Sequence, residues 1–158
     1  MESLAKELGQ RLKAKRESLV TAESCTGGWV AQAVTSVAGS SDWFERGFVT
    51  YSNAAKQELL GVKQSTLEKH GAVSEQTAIE MAQGALARSR GTLALAVTGV
   101  AGPGGGTADK PVGMVCFAWV HEKNLKSETR RFSGDRESVR RQSVIRALQG
   151  VLETLAGA

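Results

Sequence analysis

Two short apolar runs, Ser18–Ala22 (SLVTA) and Thr92–Val97 (TLALAV), each break directly into a polar, glycine-bearing turn. The first turn, ESCTGG at 23–28, is followed at once by the helically spaced WVAQAVTS of residues 29–36. The second, TGVAGPGGGT at 98–107, leads instead to the long apolar run Val112–Val120 (VGMVCFAWV). Uninterrupted apolar strands need cover on both faces. A chain built this way must therefore lay helices on two sides of one sheet.

The remaining pattern fits that frame. Leu4, Leu8 and Leu12 predict an amphipathic helix over 2–15, and residues 46–52 (RGFVTYS) read as a second strand. Residues 53–70 carry two short helical pieces, punctuated by Gly61 and closed by Gly71. Ser74 can cap a helix over 75–90, with Glu75 in its first turn. Ser127–Phe132 alternates as a more exposed strand, close enough to Val112–Val120 to pair antiparallel. From near Asp135 a last helix carries the stripe Val144, Ile145, Leu148, Val151, Leu152 and Leu155. The expected fold is α/β: a three-layer α/β/α sandwich with a mixed, mostly parallel central sheet. At 158 residues the chain can bury one complete core, so a single domain over 1–158 is expected.

Several function classes drop out on composition. No apolar run is long enough to span a bilayer, and MESLAKELGQRLKAKRES lacks a signal peptide's apolar centre. The expected location is the cytoplasm, with no membrane partner. Two cysteines, Cys25 and Cys116, and two distant histidines, His70 and His121, make neither a disulfide framework nor a metal-ligand motif. The net charge of +4 is uneven: residues 123–146 hold eight basic and three acidic groups. That cluster could meet a phosphate or be a solvated face. A nucleic-acid partner is not expected, because recognition-helix motifs and interleaved aromatics are missing.

Four segments could carry chemistry. In AESCTGG (22–28) a serine stands where strand becomes helix, the setting that stabilises an alkoxide and a developing oxyanion. The alternative is that Ser24 or Thr26 merely caps the helix. Cys25 is a second possible nucleophile, or simple packing. In YSNAAK (51–56), Tyr51 is the only tyrosine and Lys56 lies one helical turn on. A buried lysine can act as a base because desolvation lowers its pKa. A solvated helix lysine is the competing reading. The loop TGVAGPGGGT is neither a phosphate-binding Walker loop nor a dinucleotide fingerprint, but it lies where ligands meet such sheets. In GDRESVR (134–140), Arg136 and Arg140 share a helix face and could fork onto a phosphate.

Taken together, AESCTGG, YSNAAK, GAVSEQTA (71–78), TGVAGPGGGT and GDRESVR resemble the CinA C-terminal domain family, over about residues 4–155. The resemblance implies hydrolysis of the carboxamide of nicotinamide mononucleotide to nicotinate mononucleotide and ammonia, without metal or organic cofactor. It implies Ser24 as nucleophile, Lys56 as its base and Tyr51 as an aid to proton transfer. The backbone of Cys25, Thr26 and Gly27 would stabilise the oxyanion, and Thr98 and Gly99 would border the site. Gly102, Pro103 and Gly104 would help hold the nucleotide, with its phosphate on Arg136 or Arg140 by charge. A homodimer is also implied, without the additional N-terminal domain of longer members. The competing class is a non-catalytic nucleotide-binding module of the same fold.

Overall fold

In the computed structural model, which describes residues 1–157, five strands and six α-helices build the fold that pattern requires. The order is α1 (Glu2–Ala14), β1 (Leu19–Glu23), α2 (Trp29–Thr35), β2 (Phe44–Val49), α3 (Asn53–Leu60), α4 (Gln64–His70), α5 (Glu75–Ala87), β3 (Leu93–Gly99), β4 (Met114–His121), β5 (Asn124–Arg131) and α6 (Arg136–Gly157). The sheet runs β2-β1-β3-β4-β5. Both neighbours of β1 are parallel to it, and β4 is antiparallel to β3 and β5. Four of the five strands thus point one way, as expected for a mixed, mostly parallel sheet.

Alternation along the strands divides the core into two layers. Leu93, Leu95 and Val97 of β3, with Val115, Phe117 and Trp119 of β4, face α1, α2 and α6. Ala94, Ala96, Cys116 and Ala118 face the opposite way, against the alanines of α5 and Leu60 of α3. Large side chains thus fill one layer, while small ones let α5 approach closely on the other. The three-layer arrangement follows from that asymmetry.

The largest boundary differences from the sequence reading fall in two strands. β2 occupies 44–49 rather than 46–52. The Leu19 amide donates to the Trp43 carbonyl, which starts the pairing early, and Ser52 leaves the sheet to accept the Ala55 amide at the start of α3. β5 begins at Asn124 because Glu122 adopts a left-handed φ of 56° and lets His121 pair with Asn124.

α6 docks through Gly150. A Cβ there would lie 2.0 Å from the ring of Trp119, which stacks on Phe117 and donates its Nε1 hydrogen to the Ala147 carbonyl. Gly150→Ala sets two effects in opposition. Helix propensity favours alanine by about 1 kcal/mol, whereas overpacking a fixed ring costs about 1–3 kcal/mol. At 2.0 Å neither the backbone nor the buried ring can yield cheaply, so the clash wins. The expected outcome is a net loss of up to about 2 kcal/mol, read from the midpoint of urea unfolding at unchanged slope.

Candidate active site

The carboxyl ends of β1 and β3 lie side by side, and their connections leave in opposite directions, β1 to β2 and β3 to β4. A crevice opens at such a divergence. Here it is a cavity of about 170 Å³ lined by Ser24, Lys56, Thr98, Gly99, Arg136 and others.

Ser24 is the first residue past β1, and its amide donates to the Val97 carbonyl at 3.0 Å, so the ladder with β3 fixes its position. Gly27 and Gly28 then take φ of 60° and 102°, values an L side chain rarely adopts, and bend the chain into α2. Glu23 holds this bend from beneath. Its buried carboxylate accepts the Thr26 hydroxyl at 2.5 Å and the Val30 and Ala31 amides at 2.8 and 3.0 Å. The free amides expected at the start of α2 are therefore partly occupied by Glu23. The Gly27 amide is also engaged, donating to the Ser24 carbonyl at 3.0 Å. Among the described residues the Cys25 and Thr26 amides have no protein acceptor.

Lys56 arrives from the other side of the crevice. Ser52 caps α3, Lys56 and Leu60 share its inward face, and Gly61 ends it with a left-handed φ of 69°. The lysine is 1% exposed. Its Nζ donates to Ser24 Oγ at 3.1 Å and to the Tyr51 carbonyl at 3.2 Å. No carboxylate pairs with it among the described residues, and burial pushes its pKa below the ordinary value of 10.5. Without a compensating anion, burial shifts the balance toward the neutral amine relative to a free lysine. The solvated-lysine reading is thereby excluded.

The other predicted residues divide. Cys25 reaches the cavity wall, yet burial raises its thiol pKa to about 12, so the thiolate a nucleophile requires is disfavoured. Tyr51 contributes its backbone carbonyl to Ser24 and Lys56, while the residue as a whole is 63% exposed. Its hydroxyl accepts from Arg136 at 3.2 Å and makes no hydrogen bond to Ser24 or Lys56. Thr98 donates to the Ala72 carbonyl at 2.9 Å, which ties β3 to the loop before α5. Gly99 packs so tightly on β4 that a Cβ would lie 2.8 Å from Val115.

Arg136 stands at the mouth, anchored by the Gly102 carbonyl at 2.8 Å. Thr26, Gly27, Pro103 and Gly104 do not line the cavity, and Pro103 and Gly104 are exposed on the far part of their loop. Arg140 also lies off the cavity wall: its guanidinium is held against the carbonyls of Cys25 and Thr26. The phosphate role suggested by its charge finds no support in that placement.

Sequence reasoning missed Glu23, Asn53, Ala72, Val73 and Ala101. Glu23 and Asn53 lie inside quoted motifs but have chemical meaning only once the turn and cavity exist. Ala72, Val73 and Ala101 form small or apolar parts of the wall.

Much of the basic segment is spent internally. Arg146 pairs with Glu128 and Glu153, Arg130 with Glu128, Lys126 with Glu153 and Arg141 with Glu137. At the other end of the sheet, His121 Nε2 lies 2.9 Å from Glu17, with Glu122 nearby. This looks like a possible ligand set. However, His121 Nδ1 is buried without a partner, so metal on Nε2 would leave a buried N–H unanswered. No helix among the described residues is long and apolar enough to cross a membrane.

Comparison with known proteins agrees with the motif reading. The chain is 55% identical over 148 residues to the nicotinamide-nucleotide amidohydrolase PncC of Escherichia coli K12, covering 92% of this chain and 89% of that one. It is 51% identical over 147 residues to a CinA-like protein of Syntrophobacter fumaroxidans, covering 93% of this chain but 35% of that longer protein. Among solved structures, the competence/damage inducible protein CihA of Agrobacterium tumefaciens matches with a TM-score of 0.94 at 47% identity, over 98% of this chain and 94% of that one. A CinA superfamily protein of Klebsiella pneumoniae 700603 matches with a TM-score of 0.96 at 38% identity, over 99% and 98% of the two chains. The family model for the CinA C-terminal domain matches residues 1–155, and the chain belongs to that family.

Proposed function

We propose that the protein is an amidohydrolase that converts nicotinamide mononucleotide to nicotinate mononucleotide and ammonia, with Ser24 as nucleophile and Lys56 as base. The observation that carries this reading is a buried amine without a carboxylate partner, 3.1 Å from the hydroxyl of Ser24. The naming of relatives at 52–55% identity as nicotinamide-nucleotide amidohydrolases supports the substrate.

The steps balance with these groups alone. Ser24 Oγ attacks the carboxamide carbon, its proton passes to Lys56 Nζ, and the carbonyl oxygen becomes an oxyanion. The unpartnered amide of Cys25, which lines the cavity, suits that oxyanion. The C–N bond then breaks and Lys56 returns the proton to departing ammonia. Water attacks the acyl-serine and gives one proton to Lys56, which returns it to Ser24 as the ester C–O bond breaks; the acid so formed loses its remaining proton to solvent and leaves as the carboxylate. Tyr51 and Arg136, joined at the mouth, would contact the nucleotide, with Arg136 facing its phosphate. The Gly102–Gly104 loop contributes through buried Gly102, whose carbonyl fixes Arg136. A soluble, cytoplasmic homodimer belongs to the same reading.

The test is ammonia release from nicotinamide mononucleotide by the purified protein. Release at a rate well above the uncatalysed background is expected. Binding of the mononucleotide without any release would reject catalysis and favour the binding-module class.

A further inference from the structure

Nicotinamide mononucleotide carries a permanent positive charge, because its ring nitrogen is bonded to the ribose. A buried charge is normally met by a partner of opposite sign. This cavity offers none: among the described residues no acidic side chain lines it, and its buried ionisable group is the amine of Lys56. A cationic ring and a potential cation are thus brought into one small space.

The charges around Lys56 do not relieve this. In the turn after β1, the Cys25 thiol is pushed up to about 12, which disfavours the thiolate, and Glu23 is taken by the Thr26 hydroxyl and the α2 amides. From α6, Arg140 grips the Cys25 and Thr26 carbonyls, and Arg136 adds a second cation at the mouth, beside the Tyr51 hydroxyl. On α5, Glu75 accepts the Ser127 and Thr129 hydroxyls, and Glu80 accepts the Lys63 amide and the Thr66 hydroxyl. The end of β3 and the loop before α5 bring Thr98, Gly99, Ala72 and Val73 to the wall, and none of these titrates as an acid or base.

The ring and the amine must also be close. Attack needs Ser24 Oγ within about 3–3.5 Å of the carboxamide carbon, which is bonded directly to the ring. Lys56 Nζ lies 3.1 Å from that oxygen. A cavity of about 170 Å³ leaves little room for water between them once the ring is in. Two positive charges so near and so poorly solvated repel strongly. The ring cannot lose its charge, whereas the amine can lose its proton.

We propose that the pyridinium charge drives Lys56 to its neutral, base-competent form in the complex, so that the cavity selects cationic pyridinium amides over neutral aromatic amides through the protonation state of its base. The proposal rests on the amidohydrolase reading above and gives the substrate a part in activating the enzyme. The missing carboxylate then has a chemical reason. An acid in the wall would hold the ring more tightly, but it would also hold the proton on Lys56. By linkage, the same repulsion weakens binding of the mononucleotide to the protonated enzyme.

The experiment measures dissociation constants of nicotinamide mononucleotide and of a neutral-ring analogue, benzamide riboside monophosphate, from about pH 5 to about pH 10, the span in which buried lysines titrate. Calorimetry is done on Ser24→Ala, which lacks the nucleophile, and on Ser24→Ala combined with Lys56→Met. Both ligands carry the same phosphate, so the ratio of the analogue's dissociation constant to that of the mononucleotide isolates the ring charge. That ratio is expected to rise about 10-fold with pH in Ser24→Ala, and to stay flat when Lys56 is also replaced. In wild type, the rising limb of kcat for the mononucleotide is expected about one pH unit below that of kcat/KM.

A ratio that does not change with pH in Ser24→Ala overturns the proposal. A ratio that changes equally without Lys56 overturns it too, because another group then reads the ring charge. Ammonia release by wild type separates this failure from that of the amidohydrolase reading. Release with a flat ratio removes only the proposal, whereas no release removes the reading and the catalytic role of Lys56 with it.

Discussion

Ser24→Ala is expected to lower ammonia release from nicotinamide mononucleotide by at least about 10³-fold while the mononucleotide still binds. The variant removes the oxygen that would form the acyl intermediate and leaves the cavity wall otherwise intact. Ser24 is almost fully buried, and its hydroxyl meets only Lys56 Nζ and the Tyr51 carbonyl. Loss of that hydroxyl removes one polar partner from each, so the fold should survive. Steady-state ammonia release and calorimetric binding on the same preparation check both parts. Retention of more than about a tenth of wild-type kcat would show that another group attacks the amide. The residual rate expected from oxyanion donors and binding alone is far below that level.

The second large effect concerns Lys56. Lys56→Met is expected to reduce kcat about 10²–10⁴-fold, the range for loss of a positioned general base. Lys56→Arg should fail as severely, because a guanidinium cannot be deprotonated in proteins. The pH dependence has a definite sign. Burial lowers the pKa of Lys56 from its ordinary value of 10.5, so the charged ammonium prevails only below the lowered value. In that form it cannot accept the Ser24 proton. Wild-type kcat/KM should therefore rise with pH through the lowered pKa and then level off, and Lys56→Met should lack that limb.

Stability runs in the opposite sense to activity for this substitution. Between the lowered pKa and 10.5 the unfolded chain binds more protons at Lys56 than the folded one, so the group's contribution becomes more favourable as pH rises. At neutral pH a buried amine without an anionic partner is a burden, which methionine of similar length removes. Lys56→Met is thus expected to melt at or above the wild-type temperature while nearly inactive. A large drop in its thermal midpoint would mean that Lys56 is structural.

Much of this was legible before any coordinates. The apolar runs at 18–22 and 92–97 and the last helix's stripe specify α/β layering, since hydrophobic periodicity is a local property. The motifs also carried the turn that bears Ser24, and YSNAAK with Lys56. Local pattern was weakest where a single partner decides the boundary. β2 starts early because Trp43 accepts from Leu19, and β5 because Glu122 tolerates a left-handed turn.

The sequence by itself determined which side chains are available: one serine at a strand–helix turn, one lysine a turn into the next helix, and two arginines spaced along another. It could not determine what each one faces. Lys56 is a candidate base only because α3 turns it into a crevice without a carboxylate, across 32 residues of chain from Ser24. Arg136 and Arg140 look equivalent on a helical wheel, yet one reaches the cavity mouth and the other grips the turn below it. Likewise, Cys25 lies beside Ser24 in sequence, but burial pushes its thiol pKa up and disfavours the thiolate. Charge state and hydrogen-bond direction depend on solvent exclusion and on groups distant in sequence, so only the packed tertiary structure decides them.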